Sequence, residues 1–304
     1  MLRQSFILLS KSDLARRFVT HAPFASAAAR RFVAGETMDD ASSAARELNR
    51  AGMTVTMDYL GESVNDRAEA TAAADQYLEI IDRMVADQID GNVSLKLTQM
   101  GQDIDEDFLR DNVSRILERA ARHHMFVRFD MESSDYVQRT IDFADRVRAD
   151  GFTNTGIVLQ SMLRRTEADT LWANERGMRV RLCKGAYAEP ESVAYPDKKD
   201  VDASFMRCTR LLLEHGAYAG IATHDEKIIQ ATKRFALDRG ISPDRFEFQL
   251  LYGIRRDLQR QLVDEGWRVR VYIGFGTAWY PYFMRRLAER PANVLFIARQ
   301  LVRG

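Results

Sequence analysis

The sequence predicts an α/β protein built as a (β/α)8 barrel of the TIM type. Eight short segments rich in apolar and β-branched residues begin roughly 20 to 40 residues apart, which leaves room for a strand, a helix and two loops in each unit. The eight units cover residues 54 to 304, close to the roughly 250 residues of a typical barrel. Alternation of strand and helix indicates a parallel sheet with outer helices, and a doubly wound open sheet is the alternative.

Each predicted strand is a short apolar or β-branched run, and each segment between strands has helical periodicity. The strands are Thr54–Leu60, Asn92–Leu97, Phe126–Met131, Thr155–Gln160, Arg179–Lys184, Gly220–Asp225, Phe246–Leu251 and Arg268–Ile273. Leu109, Val113 and Leu117, for example, share one face of a helix predicted over Asp105–His123. The other helices are Ala68–Ala86, Asp135–Val147, Glu167–Arg176, Val201–Glu214, Glu226–Arg239, Arg255–Glu265 and Tyr282–Arg290.

Residues 1–50 precede the first strand and are predicted to form an N-terminal helical cap on a catalytic barrel of residues 51–304. Apolar residues recur at helical spacing over Ala27–Phe32 and Met38–Leu48. No linker rich in glycine, proline or serine separates the two parts.

The composition excludes several classes of protein and of partner. Lys and Arg number 44 against 44 Asp and Glu, so no net field attracts a polyanion, and nucleic acid is not an expected partner. The 46% hydrophobic content excludes a disordered chain, and two cysteines suit the reducing cytoplasm rather than a disulfide scaffold. The apolar run Phe6–Leu9 is too short for a signal peptide or a membrane span, while peripheral membrane contact stays open.

Polar residues stand at the C-terminal end of every predicted strand, where the active site of a barrel gathers. Burying so many polar groups without partners would be costly, so a polar cavity explains them better than barrel packing does. In strand order they are Asp58 and Tyr59; Lys96; Asp130 and Glu132; Gln160; Arg181 and Lys184; Thr223, His224 and Asp225; Gln249; and Tyr272.

The helix predicted after the eighth strand carries a second cluster. Helical spacing places Tyr282, Arg285, Arg286 and Glu289 on one face. Paired arginines beside a tyrosine suit bidentate capture of a carboxylate. Solvent-facing Arg–Glu pairs would be the simpler explanation on an isolated helix, but the nearby strand end favours a ligand site.

The segment Arg181–Tyr187 leaves the fifth strand into a glycine-containing loop, where a phosphate or a flavin ring would fit; a basic strand end facing solvent is the alternative. Neither G-x-G-x-x-G nor a Walker sequence is present, so no Rossmann site is indicated. No metal site is predicted, because the histidines lack ligand spacing. Cys183 is predicted to be a small core residue, since strand alternation separates it from Leu182 and Lys184.

Together these motifs resemble those of monofunctional bacterial proline dehydrogenases, FAD enzymes of proline catabolism related to the corresponding domain of the bifunctional PutA proteins. The likeness covers nearly the whole chain. Its motifs are Asp58–Glu62, Leu95–Leu97, Arg128–Glu132, Arg181–Tyr187, Thr223–Asp225, Phe248–Gly253 and Tyr282–Arg286. The family's barrel is distorted and its final helix lies over the mouth, which implies that Arg285 and Arg286 bind substrate.

The resemblance implies oxidation of L-proline to Δ1-pyrroline-5-carboxylate, with a hydride passing from C5 to the flavin and electrons then passing to a quinone. It also implies coupling to pyrroline-5-carboxylate dehydrogenase and a cytoplasmic location with peripheral contact at the inner membrane. The matching catalytic positions are Asp130 and Arg181. The matching substrate contacts are a carboxylate clamp of Lys96, Arg285 and Arg286 and ring walls of Leu251, Tyr272 and Tyr282. The matching FAD contacts are Met131, Gln160, Lys184, Gly185, Ala186, Thr223 and His224.

The chain departs from the family at Gly274, which replaces the proline of a Tyr-x-Pro motif. A more flexible strand-to-helix loop and weaker affinity for proline are expected there. Two alternatives remain open at this point. One is a Schiff-base lyase or aldolase, since Lys96 and Lys184 both stand at strand ends, and the other is a barrel that binds an amino acid without catalysis.

Overall fold

The computed structural model describes residues 31–289 and confirms the predicted (β/α)8 barrel. Eight parallel strands pair in chain order, and β8 pairs with β1 to close the barrel, which excludes the open sheet. The strands are β1 (Thr54–Tyr59), β2 (Gly91–Leu95), β3 (Val127–Phe129), β4 (Thr155–Gln160), β5 (Arg179–Cys183), β6 (Ala219–Ala222), β7 (Phe246–Leu251) and β8 (Val269–Phe275).

Nine α-helices are present within these residues. They are α1 (Met38–Arg50), α2 (Arg67–Ala86), α3 (Glu106–Arg122), α4 (Ser134–Ala149), α5 (Thr166–Glu175), α6 (Lys198–His215), α7 (Glu226–Asp238), α8 (Arg256–Asp264) and α9 (Trp279–Glu289). Local chemistry sets several starts. The side chains of Asp66, Asp105 and Asp225 accept hydrogen bonds from first-turn N–H groups of α2, α3 and α7.

Two helices depart from the regular order of the ring. Helix α9 follows β8 but contributes side chains to the cavity at the C-terminal ends of the strands, as the family resemblance implies. Helix α1 instead packs against β1 and β8 and buries Ala41, Ser42 and Ala45. The outer surface of these two strands is therefore covered by a helix that precedes the barrel in the chain. The cap predicted for residues 1–50 stays a prediction, since residues 1–30 lie outside the described range.

A separate apolar cluster holds α9 in place. Its buried members are Phe32, Val33, Leu60, Ile254, Trp279, Tyr280, Tyr282, Phe283 and Met284. The rings of Phe32 and Phe283 lie 6.1 Å apart, and Trp279 Nε1 donates a hydrogen bond to Glu36 at 2.9 Å. The Ala34 N–H donates to the Gly274 carbonyl at 3.0 Å, so residues 32–36 run beside β8 and support the helix at the mouth.

Predicted and observed boundaries agree for β4 and β7 and differ by a few residues elsewhere. Strand β6 ends at Ala222 rather than Asp225, because Asp225 caps α7. Helix α9 begins at Trp279 rather than Tyr282. The helical pattern predicted over Ala27–Phe32 lies mostly outside the described residues.

The expected position of Gly274 in a loop was wrong. Gly274 lies within β8 and is paired with Asp58 of β1, so the strand continues through the position where the resemblance implies a proline. The weaker affinity for proline expected from this substitution stays a prediction. Within residues 31–289, no helix combines the length and apolar character that a membrane span requires.

Candidate active site

A cavity of about 1100 Å³ opens at the C-terminal ends of the strands beside α9. Of the polar strand-end residues without a family match, Asp225 and Gln249 line it, whereas Asp58, Tyr59 and Glu132 do not. All but one of the fifteen residues that the family resemblance matched to catalytic, substrate or FAD contacts line it. They are Lys96, Asp130, Met131, Arg181, Lys184, Gly185, Ala186, Thr223, His224, Leu251, Tyr272, Tyr282, Arg285 and Arg286. The exception is Gln160, which is buried at the end of β4 and donates from Nε2 to the Glu132 carbonyl at 2.7 Å. The barrel thus brings residues from distant parts of the chain to one cavity.

Lys96 is held as a cation. Its Nζ lies 3.2 Å from both carboxylate oxygens of Asp58, which is fully buried at the end of β1. The Tyr77 hydroxyl lies 3.3 Å from one of the same oxygens. Burial opposes the charge on Lys96, but attraction to Asp58 outweighs it and raises the pKa of Lys96 above its ordinary value. Lys96 therefore presents an ammonium group, not a neutral amine, to the cavity.

Asp130 follows β3 and accepts hydrogen bonds from three neighbours. Ser94 Oγ and Arg181 Nη1 each lie 2.7 Å from Oδ1, and the Tyr272 hydroxyl lies 2.7 Å from Oδ2. The Arg181 guanidinium also lies over the Tyr272 ring, 5.0 Å from its centroid. Burial opposes ionisation of Asp130, but Arg181 and Lys96 hold its pKa below the usual value. A charged Asp130 therefore orients both Arg181 and Tyr272.

Helix α9 adds two further cations. Arg285 Nη1 lies 2.8 Å from Glu62 Oε1, and its guanidinium lies 5.9 Å from the centroid of the Tyr187 ring. Arg286 is buried, with its guanidinium 5.0 Å from the Tyr282 ring. Burial opposes the charge on Arg285, but Glu62 raises its pKa above the ordinary value. Two guanidinium groups therefore meet Lys96 in the same cavity.

Residues that follow β5 and β6 form another wall of the cavity, and ion pairs hold part of it in place. Lys184 Nζ lies 2.6 Å from an Asp202 oxygen and 2.8 Å from an Asp225 oxygen. The backbone N–H of Leu251 donates to His224 Nε2 at 3.0 Å, which leaves the proton of a neutral imidazole on Nδ1. These contacts fix the side chains of the β5–α6 and β6–α7 loops before any ligand binds.

The prediction of Cys183 as a small core residue is confirmed only in part, because Cys183 is half-buried and packs against the main apolar core. Cys183 lines the cavity, because it shares the inner face of β5 with Arg181, two residues earlier. Lys184 also reaches the cavity because it follows the last residue of β5, where strand alternation no longer applies.

Sequence reasoning did not anticipate the contacts of Glu62 and Tyr187. Each lies in a loop a few positions beyond the end of a strand, and each meets Arg285 on α9. The signal that could have found them is their inclusion in the motifs Asp58–Glu62 and Arg181–Tyr187, but neither motif shows that its partner lies on the last helix.

This arrangement is typical of the active site of a (β/α)8 barrel enzyme, in which Lys96 and the arginines of α9 line one cavity together with the Asp130–Arg181 pair. A family model described as proline dehydrogenase matches residues 41–299, and the chain belongs to the proline dehydrogenase family.

Two curated relatives are similar over most of their length. The chain is 44% identical over 280 residues to proline dehydrogenase of Deinococcus radiodurans, covering 91% of this chain and 90% of the relative. It is 40% identical over 294 residues to proline dehydrogenase 2 of Bacillus subtilis strain 168, covering 97% and 96%. These matches confirm the family resemblance and the expectation of an oxidoreductase.

The solved structures that resemble this chain include longer PutA proteins. The crystal structure of PutA from Bdellovibrio bacteriovorus inactivated by N-propargylglycine superposes with a TM-score of 0.81 at 26% identity, covering 91% of this chain and 34% of that one. The chain is also 25% identical over 317 residues to bifunctional PutA of Escherichia coli K12, covering 24% of that protein. This chain therefore corresponds to one part of PutA.

Proposed function

We propose that this protein oxidises L-proline to Δ1-pyrroline-5-carboxylate, the first step of proline catabolism, with FAD as its cofactor. The observation that carries the proposal is the convergence of Lys96, Arg285 and Arg286 on the cavity that also contains Asp130 and Arg181. Family membership supports proline as the substrate. The cavity contains cations suited to the substrate carboxylate and a fixed arginine suited to the hydride acceptor.

The substrate carboxylate suits the three cations. A carboxylate removed from water needs charged, hydrogen-bonding partners, and planar guanidinium groups can bind its two oxygens at once. Lys96, Arg285 and Arg286 would bind it, while Leu251, Tyr272 and Tyr282 would enclose the apolar ring. Holding one end of proline in this way fixes the position of C5, because the ring is rigid. Orientation is therefore the main contribution of the clamp to the rate.

The other wall fits a flavin. Arg181 Nη2 is buried and has no hydrogen-bond partner among the described residues, so one donor beside the cavity remains for a ligand. Gly185 has a φ of +105°, and a Cβ there would lie 2.4 Å from Met162 Sδ, so only glycine lets this backbone line the cavity. The residues of the cavity that would hold the cofactor are Met131, Lys184, Gly185, Ala186, Thr223 and His224.

FAD, when bound, would supply the hydride acceptor. The protein's own contribution is electrostatic, because a fixed Arg181 would stabilise negative charge that develops on the acceptor. Asp130 would keep Arg181 in place and, with Lys96 and the arginines, keep water from competing for the substrate. The secondary amine of proline must be neutral to assist loss of the hydride, and the nearby cations favour its unprotonated form.

A Schiff-base lyase is not favoured. A lysine nucleophile must lose its proton, whereas Lys96 is held charged by Asp58 and Lys184 lies between two carboxylates. Borohydride trapping of a keto substrate would reverse this conclusion.

An absorption spectrum tests the function. The purified protein should show the visible bands of a flavin, and anaerobic addition of L-proline should bleach them. A colourless protein whose melting temperature rises with L-proline would indicate the non-catalytic binding barrel instead. A yellow protein that L-proline leaves unbleached would reject proline as the substrate.

We further propose that the electrons pass to a quinone, reached by transient contact of a cytoplasmic protein with the inner membrane surface, and that the product passes to a pyrroline-5-carboxylate dehydrogenase. The PutA relatives, named bifunctional, support the second link. Turnover with a soluble quinone, and its stimulation by vesicles that contain quinone, tests the acceptor. Failure of any quinone to reoxidise the reduced protein would contradict it.

A further inference from the structure

Arg181 is held from a second side by a buried chain of polar residues inside the barrel. Its Nε donates to Gln249 Oε1 at 2.6 Å, and Gln249 Nε2 donates to Glu247 Oε1 at 2.6 Å. Glu247 in turn pairs with Arg270 at 2.6 Å. Arg181, Gln249 and Glu247 are each at most 6% exposed, so none of these bonds competes with bulk water.

The direction of each bond in this chain is determined. A glutamine amide can be turned around, which exchanges its donor and acceptor. Here the carboxylate of Glu247 accepts only from a donor, so it selects the orientation in which Nε2 faces Glu247 and Oε1 faces Arg181. Arg270 keeps Glu247 charged, because attraction to its guanidinium outweighs burial and lowers the pKa of Glu247.

The strand between Arg181 and Gln249 makes room for the contact. Arg181 lies on β5 and Gln249 on β7, and the two are separated by β6, on which Gly220 pairs with Arg181. A Cβ at Gly220 would lie 2.3 Å from Gln249 Nε2 and 2.8 Å from its Cδ. The Gln249 side chain therefore crosses β6 at Gly220, where the Cβ of any other residue would collide with it.

From this geometry we propose that Gly220, Gln249 and Glu247 are positioning residues for Arg181. Asp130 holds one side of the guanidinium through Nη1, Gln249 holds the other through Nε, and the unpartnered Nη2 is the group left for the ligand. The inference rests on the proposed function, and it assigns to the polar interior of the barrel a role in orienting the cation that stabilises the reduced cofactor.

Two single variants interrupt the chain without altering Arg181 or the substrate clamp. Gln249→Met removes the acceptor, and Gly220→Ala displaces Gln249 by steric contact. We expect kcat with L-proline to fall about 10²-fold, the size of effect that a displacement of about 1 Å has on a catalytic group, and the flavin midpoint potential to become more negative. KM for L-proline should change less than kcat, because Lys96, Arg285 and Arg286 keep their positions.

Gln249→Glu provides the sharper test. It keeps an oxygen acceptor facing Arg181 Nε, while its second oxygen meets Glu247 Oε1 and places two carboxylates in contact. This variant should lose stability as Gln249→Met does but keep more of the kcat, because the acceptor for Arg181 remains.

The matched control is Thr56→Val. Thr56 is buried in the same polar interior, where it donates to Asn92, which also accepts from Arg270, but it makes no hydrogen bond with Gln249 or Arg181. This variant should lower the melting temperature and leave kcat and the midpoint potential close to wild type.

The outcomes distinguish failure of the proposed function from failure of the positioning role. Wild-type protein that binds no flavin and does not oxidise proline would refute the proposed function itself. Wild-type turnover combined with variants that lose stability but keep kcat and midpoint potential would refute only the positioning role. Equal losses of kcat in Gln249→Glu and Gln249→Met would refute it as well.

Discussion

Glu132 offers a test in which the pH dependence of stability reports on the electrostatics of the site. The carboxylate is 6% exposed and accepts from Thr98 Oγ1 at 2.9 and 2.8 Å. Burial raises the pKa of Glu132 from its usual 4.5 to about 7, with attraction to Lys96 opposing the change and repulsion from Glu62 adding to it. The folded protein therefore keeps this proton to higher pH than the unfolded chain does.

The direction in which stability changes with pH follows from which state, folded or unfolded, binds the proton more tightly. Below about pH 4.5 the side chain is neutral in both states and contributes no difference. Between about 4.5 and 7 the unfolded chain releases the proton while the folded protein retains it, so the free energy of unfolding falls as pH rises. At ~1.4 kcal/mol for each pH unit, the gap corresponds to about 3 kcal/mol lost by neutral pH.

Glu132→Gln removes this dependence while keeping an acceptor for Thr98. Equilibrium unfolding in urea should show that the variant gains about 3 kcal/mol relative to wild type between about pH 4.5 and about pH 8, because all other groups cancel in the difference. Glu118→Gln makes the same chemical change at an exposed position on α3 and serves as the control. A difference in unfolding free energy between Glu132→Gln and wild type that stays level across this range would contradict the raised pKa of Glu132.

Three other predictions concern the mouth of the barrel. Arg285→Met removes one cation of the clamp and should raise KM for L-proline about tenfold or more with a smaller change in kcat, in steady-state assays; an unchanged KM would remove Arg285 from the clamp. Tyr272→Phe deletes a hydrogen bond to the charged Asp130 and should cost about 1.5–3 kcal/mol of unfolding free energy, measured by urea denaturation; an unchanged midpoint would contradict it. Phe32→Ala should cost about 3–5 kcal/mol and raise KM by loosening α9, with flavin content per chain unchanged; equal KM values would show that residues 32–36 do not support the helix.

Much of the barrel could be predicted because its determinants are local. The periodicity of apolar residues placed β4 and β7 at their observed boundaries and the other strands within a few residues. The family motifs at the strand ends and on α9 predicted fifteen site residues, of which fourteen line the cavity and Gln160 does not. Errors occurred where a local pattern competed with a cap, as at Asp225, or where a strand continued through an expected loop, as at Gly274.

The partners of these residues could not be predicted in the same way. Glu62 meets Arg285 across 223 positions in the chain, and Arg181 meets Gln249 across 68. The pKa of Glu132 is raised mainly by burial, and burial cannot be inferred from the residues next to Glu132 in the sequence. The absence of a side chain at Gly220 matters for Arg181 only because β5, β6 and β7 lie side by side in the barrel.

The order of strands and helices, the polar residues near the strand ends and the family followed from the amino-acid sequence alone. Those features depend on periodicity, capping and motif identity, which act over a few neighbouring residues. Three contacts became visible only in the folded barrel: α1 packs beside β8 and β1, Glu62 meets Arg285, and Gln249 reaches Arg181 across β6. Barrel closure creates these contacts, because it brings together the ends of strands that are far apart in the chain.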